Sequence, residues 1–248
     1  MSILSPFPLP RSVPEVHETL TQWEEAAPSF SRARPRPWPA VMRWAEHALA
    51  PHGRVIDLAA GNGRHGAPLA EGGHRVVATD FARAFAREAR IVRGLESVRA
   101  EAAHLPFRAA TFDGALFVAA LHNIPGRHRR ITALAEMARV LRPGAPALVT
   151  VWARWRHGWI RHFVAEFPHY ALGDAHGSFG DAIVPWRSGG TFVPRYYHFY
   201  SRPELRADLE LAGLEVVRLW GERLAVRRDV RFPANVLPDN LFVEVRRR

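Results

Sequence analysis

The chain of 248 residues has no cysteine, and because lysine is also absent all 34 of its basic side chains are arginine. The missing cysteine excludes disulfides, thiolate metal sites and a cysteine nucleophile. The missing lysine excludes a phosphate loop of the G-x-x-x-x-G-K-[ST] type. No apolar run reaches the length of a membrane-spanning helix. The first 14 residues hold four prolines and no basic cluster before an apolar stretch, which does not resemble a secretory signal. The expectation is a cytoplasmic protein with no membrane segment.

Arginine alone therefore sets the net charge of +10 and the pI near 11.3. Guanidinium groups bind phosphates and carboxylates in bidentate fashion and stack on bases, so the balance favours a polyanionic partner such as RNA. A proteome rich in arginine would give the same balance without function. With 48% hydrophobic residues the chain can bury the core of one α/β domain with extensions.

Periodicity divides the chain as follows. Residues 1–14 read as a proline-rich arm, 15–27 as a helix, 28–39 as an irregular stretch and 40–50 as a second helix. Strands at 54–58, 75–79 and 97–100 then alternate with helices at 64–71 and 82–92, the signature of parallel βαβ units. A fourth strand at 112–119, a helix at 127–141 and a fifth strand at 147–152 continue the pattern. Residues 154–200 break it with aromatics, histidines, glycines and prolines, too irregular for assigned elements and too long for a simple connection, so they read as a lid over a substrate site. A helix at 202–212 and strands at 214–220 and 241–245 close the domain, giving an N-terminal arm with helices over 1–50 and one α/β domain over 51–248.

The most informative run is Val55-Ile56-Asp57-Leu58-Ala59-Ala60-Gly61-Asn62-Gly63-Arg64-His65: an apolar strand, a turn of small residues, then a helix. Gly61 and Gly63 let backbone approach a ligand that a Cβ would exclude. Asp80 ends the second strand within the roughly 20-residue offset at which a carboxylate meets ribose hydroxyls. Glu101 and Ala102 follow the third strand. The third glycine of a dinucleotide site is missing, and the three acids Asp57, Asp80 and Glu101 suit a cationic ligand carrying ribose and adenine. S-adenosylmethionine has those properties, and Asp57, Ala59, Gly61, Gly63, Asp80, Glu101 and Ala102 are the expected cofactor residues. A tight strand-to-helix turn in an ordinary α/β domain is the alternative. Methylation at C5 of a pyrimidine is disfavoured, because it proceeds through a covalent cysteine adduct.

Four blocks carry a more specific likeness: residues 23–39 (Trp23 to Pro39, with Ala27-Pro28, Phe30-Ser31, Arg34 and Pro37-Trp38-Pro39), Leu121-His122-Asn123-Ile124, Gly180-Asp181-Ala182-Ile183-Val184-Pro185-Trp186, and Arg195-Tyr196-Tyr197-His198-Phe199-Tyr200. In this order they resemble the wobble-uridine tRNA carboxyl methyltransferases, whose entry motif reads I-A-P-x-F-S-x-T-R-x-K-P-W-P. The resemblance spans residues 23 to about 220. It implies a Rossmann-like seven-stranded class I methyltransferase sheet with a lid insertion before the last helix. It also implies S-adenosylmethionine as methyl donor, tRNA bearing 5-carboxymethyluridine as substrate and a small zinc-binding activator subunit covering the edges of strands four and five.

A carboxylate is already anionic at neutral pH, so methylating it needs desolvation, alignment and guanidinium groups rather than a base. The expected catalytic set is Arg34, His122, Asp181 and Arg195. Arg34 matches the arginine of the entry motif, His122 stands at the carboxyl end of strand four where α/β sheets place ligand-facing residues, and Asp181 could accept a uracil N3–H or orient an arginine. Arg36, which replaces the motif's lysine, is expected to bind substrate together with Trp38, Asn123, Trp186, Tyr197 and His198, the aromatics as a stacking wall for a flipped base. Core packing is the plainer reading for each aromatic. The remaining histidines, His169 and His176 near Asp174 included, show no metal-ligand spacing, and no metal is expected. Ala59-Ala60, Glu101, Asn123 and Pro35 depart from the family pattern. The competing readings are a small-molecule carboxyl or hydroxyl methyltransferase and a non-catalytic RNA-binding protein on the same fold.

Overall fold

The structure, a computed structural model, describes residues 14–156, 158–172, 177–188, 190–223 and 238–248. Most of the proline-rich arm, and His176 with Asp174, lie outside the described residues. Seven strands form one sheet: β1 (Arg54–Leu58), β2 (Arg75–Asp80), β3 (Glu96–Arg99), β4 (Gly114–Val118), β5 (Pro146–Trp152), and, past a hairpin formed by β6 (Asp181–Ser188) and β7 (Thr191–His198), β8 (Leu214–Glu222) and β9 (Asn240–Arg247). The order is β3-β2-β1-β4-β5-β9-β8, with the first five parallel and β9 antiparallel to both neighbours. The expected Rossmann-like sheet is therefore present.

Alternation along the strands divides the core into two layers. Ile56, Phe117 and Val149 point to one side, packing with Leu134 and Met137 of α5 (Arg127–Val140) and Leu205 of α7 (Arg202–Leu211). Val55, Leu116 and Leu148 point to the other, toward Val41 and Trp44 of α2 (Pro39–Ala48) and the helices α3 (Gly66–Glu71) and α4 (Arg83–Ile91). The sheet reverses direction of growth between β1 and β4, so a crevice opens at their carboxyl ends.

Three expectations are corrected. The first helix, α1 (Val16–Ala33), does not stop at Ala27 but runs through Pro28. Its last turn is held by tertiary contacts: Phe30 packs on Phe85 and Trp186, and the Trp186 indole N–H donates to Ser29 Oγ at 2.7 Å. Burial at these points outweighs the lost helical hydrogen bond. The segment 154–200 is likewise not irregular, since it holds α6 (Ile160–Leu172) and the β6–β7 hairpin. Pro185 stands opposite Pro194 in that hairpin. Neither can donate, so the pair is one whose amides face away from the partner strand, which a two-stranded sheet permits. The edges of β4 and β5 are not free either: β4 lies between β1 and β5, and β5 between β4 and β9, so that among the described residues β3 and β8 are the terminal strands.

Candidate active site

The crevice at the ends of β1, β2 and β4 is a cleft with about 930 Å³ of empty space, continuous with solvent. Its polar floor comes from Asp80, Glu101, Asn62 and Asn123, its small residues are Ala59, Ala60 and Ala102, and its apolar wall is Trp23, Phe30, Phe81 and Phe85. Of the expected cofactor residues, Ala59, Asp80, Glu101 and Ala102 thus face one cavity. Asp80 accepts the amide of Gly61 at 2.8 Å on one oxygen and that of Ala82 at 2.9 Å on the other, which fixes the orientation of the carboxylate. Burial pushes its pKa up to about 7 against those hydrogen bonds. Glu101 is half-buried, 3.7 Å from Arg129. Ala59 adopts φ +48° where a glycine would be unstrained.

Asp57, Gly61 and Gly63 do not line the cleft. Asp57 lies beneath the turn, 1% exposed, with Oδ2 unpartnered and the Gly66 amide as a hydrogen-bond donor; burial raises its pKa to about 7. It positions the start of α3. Gly63 has φ +72°, and a Cβ there would stand 2.9 Å from Leu95 Cδ1 and 3.2 Å from Ala89 Cβ, so it is needed for packing onto α4. Gly61 has φ +58°, with open space where a Cβ would sit, and gives its amide to Asp80. A mostly apolar cleft lined also by Arg64 and His65, with Asp80 and Glu101 as acceptors and backbone turned aside at the glycines, fits a nucleoside such as S-adenosylmethionine.

Next to the cleft, across Trp23, stands a second group. The guanidinium of Arg195 is 3% exposed and lies 4.8 Å from the ring of Trp23, 5.0 Å from Trp186 and 5.0 Å from Tyr197. Its Nε and Nη1 have no hydrogen-bond partner. Burial, and secondarily the charge of Arg34, lowers its pKa. Tyr197 packs 5.1 Å from the imidazole of His122, which in turn stacks on Trp152 at 5.7 Å. His122 Nδ1 accepts the Trp152 amide at 3.3 Å, so the ring proton resides on Nε2. Burial, then the charges of Arg156 and Arg195, holds His122 well below its ordinary pKa, leaving it neutral. Arg34 caps α1 with its guanidinium 5.7 Å from Trp186. Five of the expected substrate residues, Arg34, His122, Trp186, Arg195 and Tyr197, therefore share one neighbourhood, and Asn123, its Oδ1 unpartnered, joins them to the cleft.

The others do not. Trp38 packs, partly buried, 5.9 Å from His65 and 6.1 Å from Phe242, against the core on the α2 side of the sheet. Arg36 is exposed. Asp181 and His198 belong to a buried chain of polar groups: Asp181 accepts from Tyr196 Oη at 2.6 Å and from the Ser178 amide at 2.8 Å, and faces His198 Nδ1 at 2.6 Å. His198 Nε2 faces Glu204 at 2.8 Å, and Glu204 pairs with Arg154. At the other end Arg130 donates to Tyr196 Oη at 3.2 Å and to the carbonyl of Ile124 at 3.3 Å. Burial acts to raise the carboxyl pKa of Asp181, but the hydrogen bond and charge of His198 more than offset it and leave it lowered. The oxygens of Asp181 are thus taken up within the protein; it positions the hairpin that carries Arg195 and Tyr197 rather than meeting a uracil. Asp181→Asn is expected to cost about 3 kcal/mol by leaving His198 and Tyr196 short of an acceptor; a denaturation midpoint unchanged from wild type would contradict that role.

Sequence reasoning missed Trp23, Phe30 and Phe85, whose helical spacing reads equally well as core. It also missed Arg130, which is fully buried. Its position three and four residues before Ala133 and Leu134, on the apolar face of α5, was a usable signal. Arg64 is 7% exposed between Phe30 and Trp38, at 5.9 and 5.4 Å, and burial lowers its pKa to about 10.

A family model for a methyltransferase domain matches residues 56–149. A protein of Encephalitozoon cuniculi that carries a methyltransferase name is 30% identical over 195 residues, covering 79% of this chain and 86% of that protein. The tRNA (carboxymethyluridine(34)-5-O)-methyltransferase of Arabidopsis thaliana is 32% identical over 156 residues, 58% of this chain and 35% of that protein. The chain spans about a third of the length of this relative and of a human one named "Probable tRNA methyltransferase 9B". Among solved structures, a SAM-dependent methyltransferase of Methanosarcina mazei superposes with a TM-score of 0.65 at 20% identity, covering 86% of this chain and 98% of that one. A chain of the complex between the Haloferax volcanii Trm112 methyltransferase activator and a methyltransferase does so with a TM-score of 0.64 at 16% identity, covering 92% and 96%. The chain belongs to the methyltransferase-domain family.

Proposed function

We propose that the protein methylates the carboxylate of a 5-carboxymethyl uridine at the wobble position of tRNA. The observation that carries the reading is Arg195: a buried guanidinium ringed by three aromatic side chains, with two nitrogens unpartnered. A desolvated cation of this kind is costly unless an anion completes it, and the flat apolar rings around it suit a base bearing a carboxylate. The homology to an Arabidopsis carboxymethyluridine methyltransferase points the same way.

S-adenosylmethionine, when bound, supplies an electrophilic methyl group on a sulfonium. The chain's own residues do the rest. Asp80 and Glu101 offer acceptors to the ribose and adenine side of the cleft. Arg195 draws the substrate carboxylate out of water by charge-assisted hydrogen bonds and holds its oxygens. Neutral His122 offers an Nε2–H donor rather than a base, and an ionised carboxylate has no proton to lose. Trp186 and Tyr197 present faces for the uracil ring. A subunit of the Trm112 activator kind is a fitting partner for the β3 or β8 edge.

The test is mass spectrometry of nucleosides from tRNA incubated with the protein, a Trm112-type activator and S-adenosylmethionine carrying a labelled methyl. A labelled wobble uridine whose label is released by mild alkali is the expected result. An alkali-stable label would overturn the ester. Unlabelled RNA from protein that binds cofactor would favour a small acid as substrate.

A further inference from the structure

We propose that Asn123 reads the Watson–Crick edge of the substrate base, its side-chain oxygen accepting the N3–H of a uracil; this rests on the tRNA reading above and adds how uridine is told from cytidine. Asn123 ends the 3₁₀ turn Leu121–Asn123, which follows β4 at the carboxyl end of the sheet. The turn is tied down. The Asn123 backbone amide donates to the Ala120 carbonyl at 2.8 Å, its Nδ2 donates to the Ala119 carbonyl at 3.2 Å, and the Ala119 amide donates to Thr150 Oγ1 at 2.9 Å. The side-chain nitrogen is thus committed within the protein, which decides which end of the amide is left for a ligand.

That end is an acceptor with nothing to accept. Asn123 is 8% exposed and lines the cleft, and its Oδ1 is buried and unpartnered. An amide oxygen cannot donate, so the site asks for an N–H or O–H, and leaving the request unmet in a desolvated place is costly. Asp80 and Glu101 serve the ribose and adenine side in the reading above, while Asp181 is committed to Tyr196, Ser178 and His198. His65 Nε2 is also buried and unpartnered beside the cleft, but a ring nitrogen donates or accepts according to its tautomer and so specifies neither.

The place of Asn123 selects the donor. Its turn packs against β7, and His122 within that turn lies 5.1 Å from Tyr197, one of the rings around Arg195. Asn123 therefore stands where the cleft meets the pocket assigned to the base. A uridine joined to ribose through N1 has its one ring N–H at N3, and a carboxymethyl group on C5 leaves that edge untouched. Arg195 on the carboxylate and Asn123 on N3–H would hold the ring by different edges and so fix its orientation in its own plane. Cytosine carries a lone pair at N3, which would meet the same oxygen acceptor to acceptor.

The experiment measures binding of synthetic anticodon stem–loops to wild type and to Asn123→Ala, each loaded with S-adenosylhomocysteine, whose own affinity is measured first. The stem–loops differ only at the wobble base: 5-carboxymethyluridine, its N3-methyl derivative or unmodified uridine. Wild type is expected to prefer the N3–H form over the N3-methyl form by about tenfold to a hundredfold. Asn123→Ala, which has room for the methyl, should bind the N3–H form about tenfold more weakly and keep a preference of no more than about threefold. Its affinity for S-adenosylhomocysteine should be unchanged. A preference that persists in the variant, or is absent from wild type, overturns the contact. So does an equal loss of S-adenosylhomocysteine affinity, which would assign the oxygen to the cofactor or the fold. In either case tighter binding of the 5-carboxymethyluridine stem–loop than of the unmodified one leaves the substrate reading standing. Equal binding of those two, with the N3 preference present and lost in Asn123→Ala, keeps the contact and removes the carboxylate.

Discussion

Replacing Arg195 by methionine is expected to lower kcat/KM for tRNA by a factor on the order of 10² to 10³ while leaving cofactor affinity within a few-fold. The guanidinium is a buried cation beside the cleft with two nitrogens free and rings on three sides. Removing it leaves the incoming carboxylate desolvated without a partner, a loss of about 3 to 4 kcal/mol. The same substitution should stabilise the free protein, because an unpaired buried charge gives way to an apolar side chain of similar length, a change often favourable by about 1 to 4 kcal/mol. Opposite signs in activity and melting temperature distinguish a ligand-binding arginine from a structural one. Arg195→Met with wild-type turnover would remove Arg195 from the reaction.

The second large effect is in pH. Asp80 has a folded-state pKa raised to about 7 from 3.8, chiefly by burial, and Asp57 is raised similarly. A carboxyl whose folded pKa exceeds its unfolded value binds more protons in the folded state, so the free protein loses stability as pH rises from about 4 to about 7. Cofactor binding runs the other way, since a cation and its ribose hydroxyls need the ionised Asp80. Affinity for S-adenosylmethionine should therefore rise roughly tenfold between pH 6 and pH 8, the interval over which a group of pKa 7 goes from mostly protonated to mostly ionised. Asp57→Asn provides the contrast. Its unpartnered oxygen does not face the cleft, so the variant should gain on the order of 1 to 2 kcal/mol at pH 8 and flatten part of the stability slope, while the pH dependence of cofactor binding persists. Isothermal titration across pH, beside melting curves, reads both. A flat binding profile would exclude Asp80 as the titrating acceptor.

How far the sequence reveals the molecule varies along the chain. Strands buried on both faces, such as Gly114-Ala115-Leu116-Phe117-Val118, are continuous apolar runs between turn residues, and those were readable to within two residues. The rule that sheet ends face ligands points to Asp80, Glu101 and Ala102, which line the cleft. It failed for Asp57, because a carboxylate at the end of a strand can turn down into the core to accept an amide as readily as up toward a ligand. The hairpin was hidden because Pro185 and Pro194 read as breakers, and only pairing opposite each other makes both harmless. The same local blindness misplaced Asp181 and His198. Their residue types are those of a reactive site, whereas their partners Tyr196, Glu204 and Arg130 come together only in the folded chain.

The sheet order has a consequence for how the molecule is made. β9 lies between β5 and β8 but is synthesised after both. During translation, β5 therefore emerges with one hydrogen-bonding edge bare until about 90 further residues have been added. At ordinary elongation rates that is a wait of roughly 5 to 20 s. Pro146-Ala147-Leu148-Val149-Thr150-Val151-Trp152 is the type of segment that finds the wrong neighbour in such an interval. The nascent chain is thus a natural client for a holding chaperone until its last strand slides into the middle of the sheet.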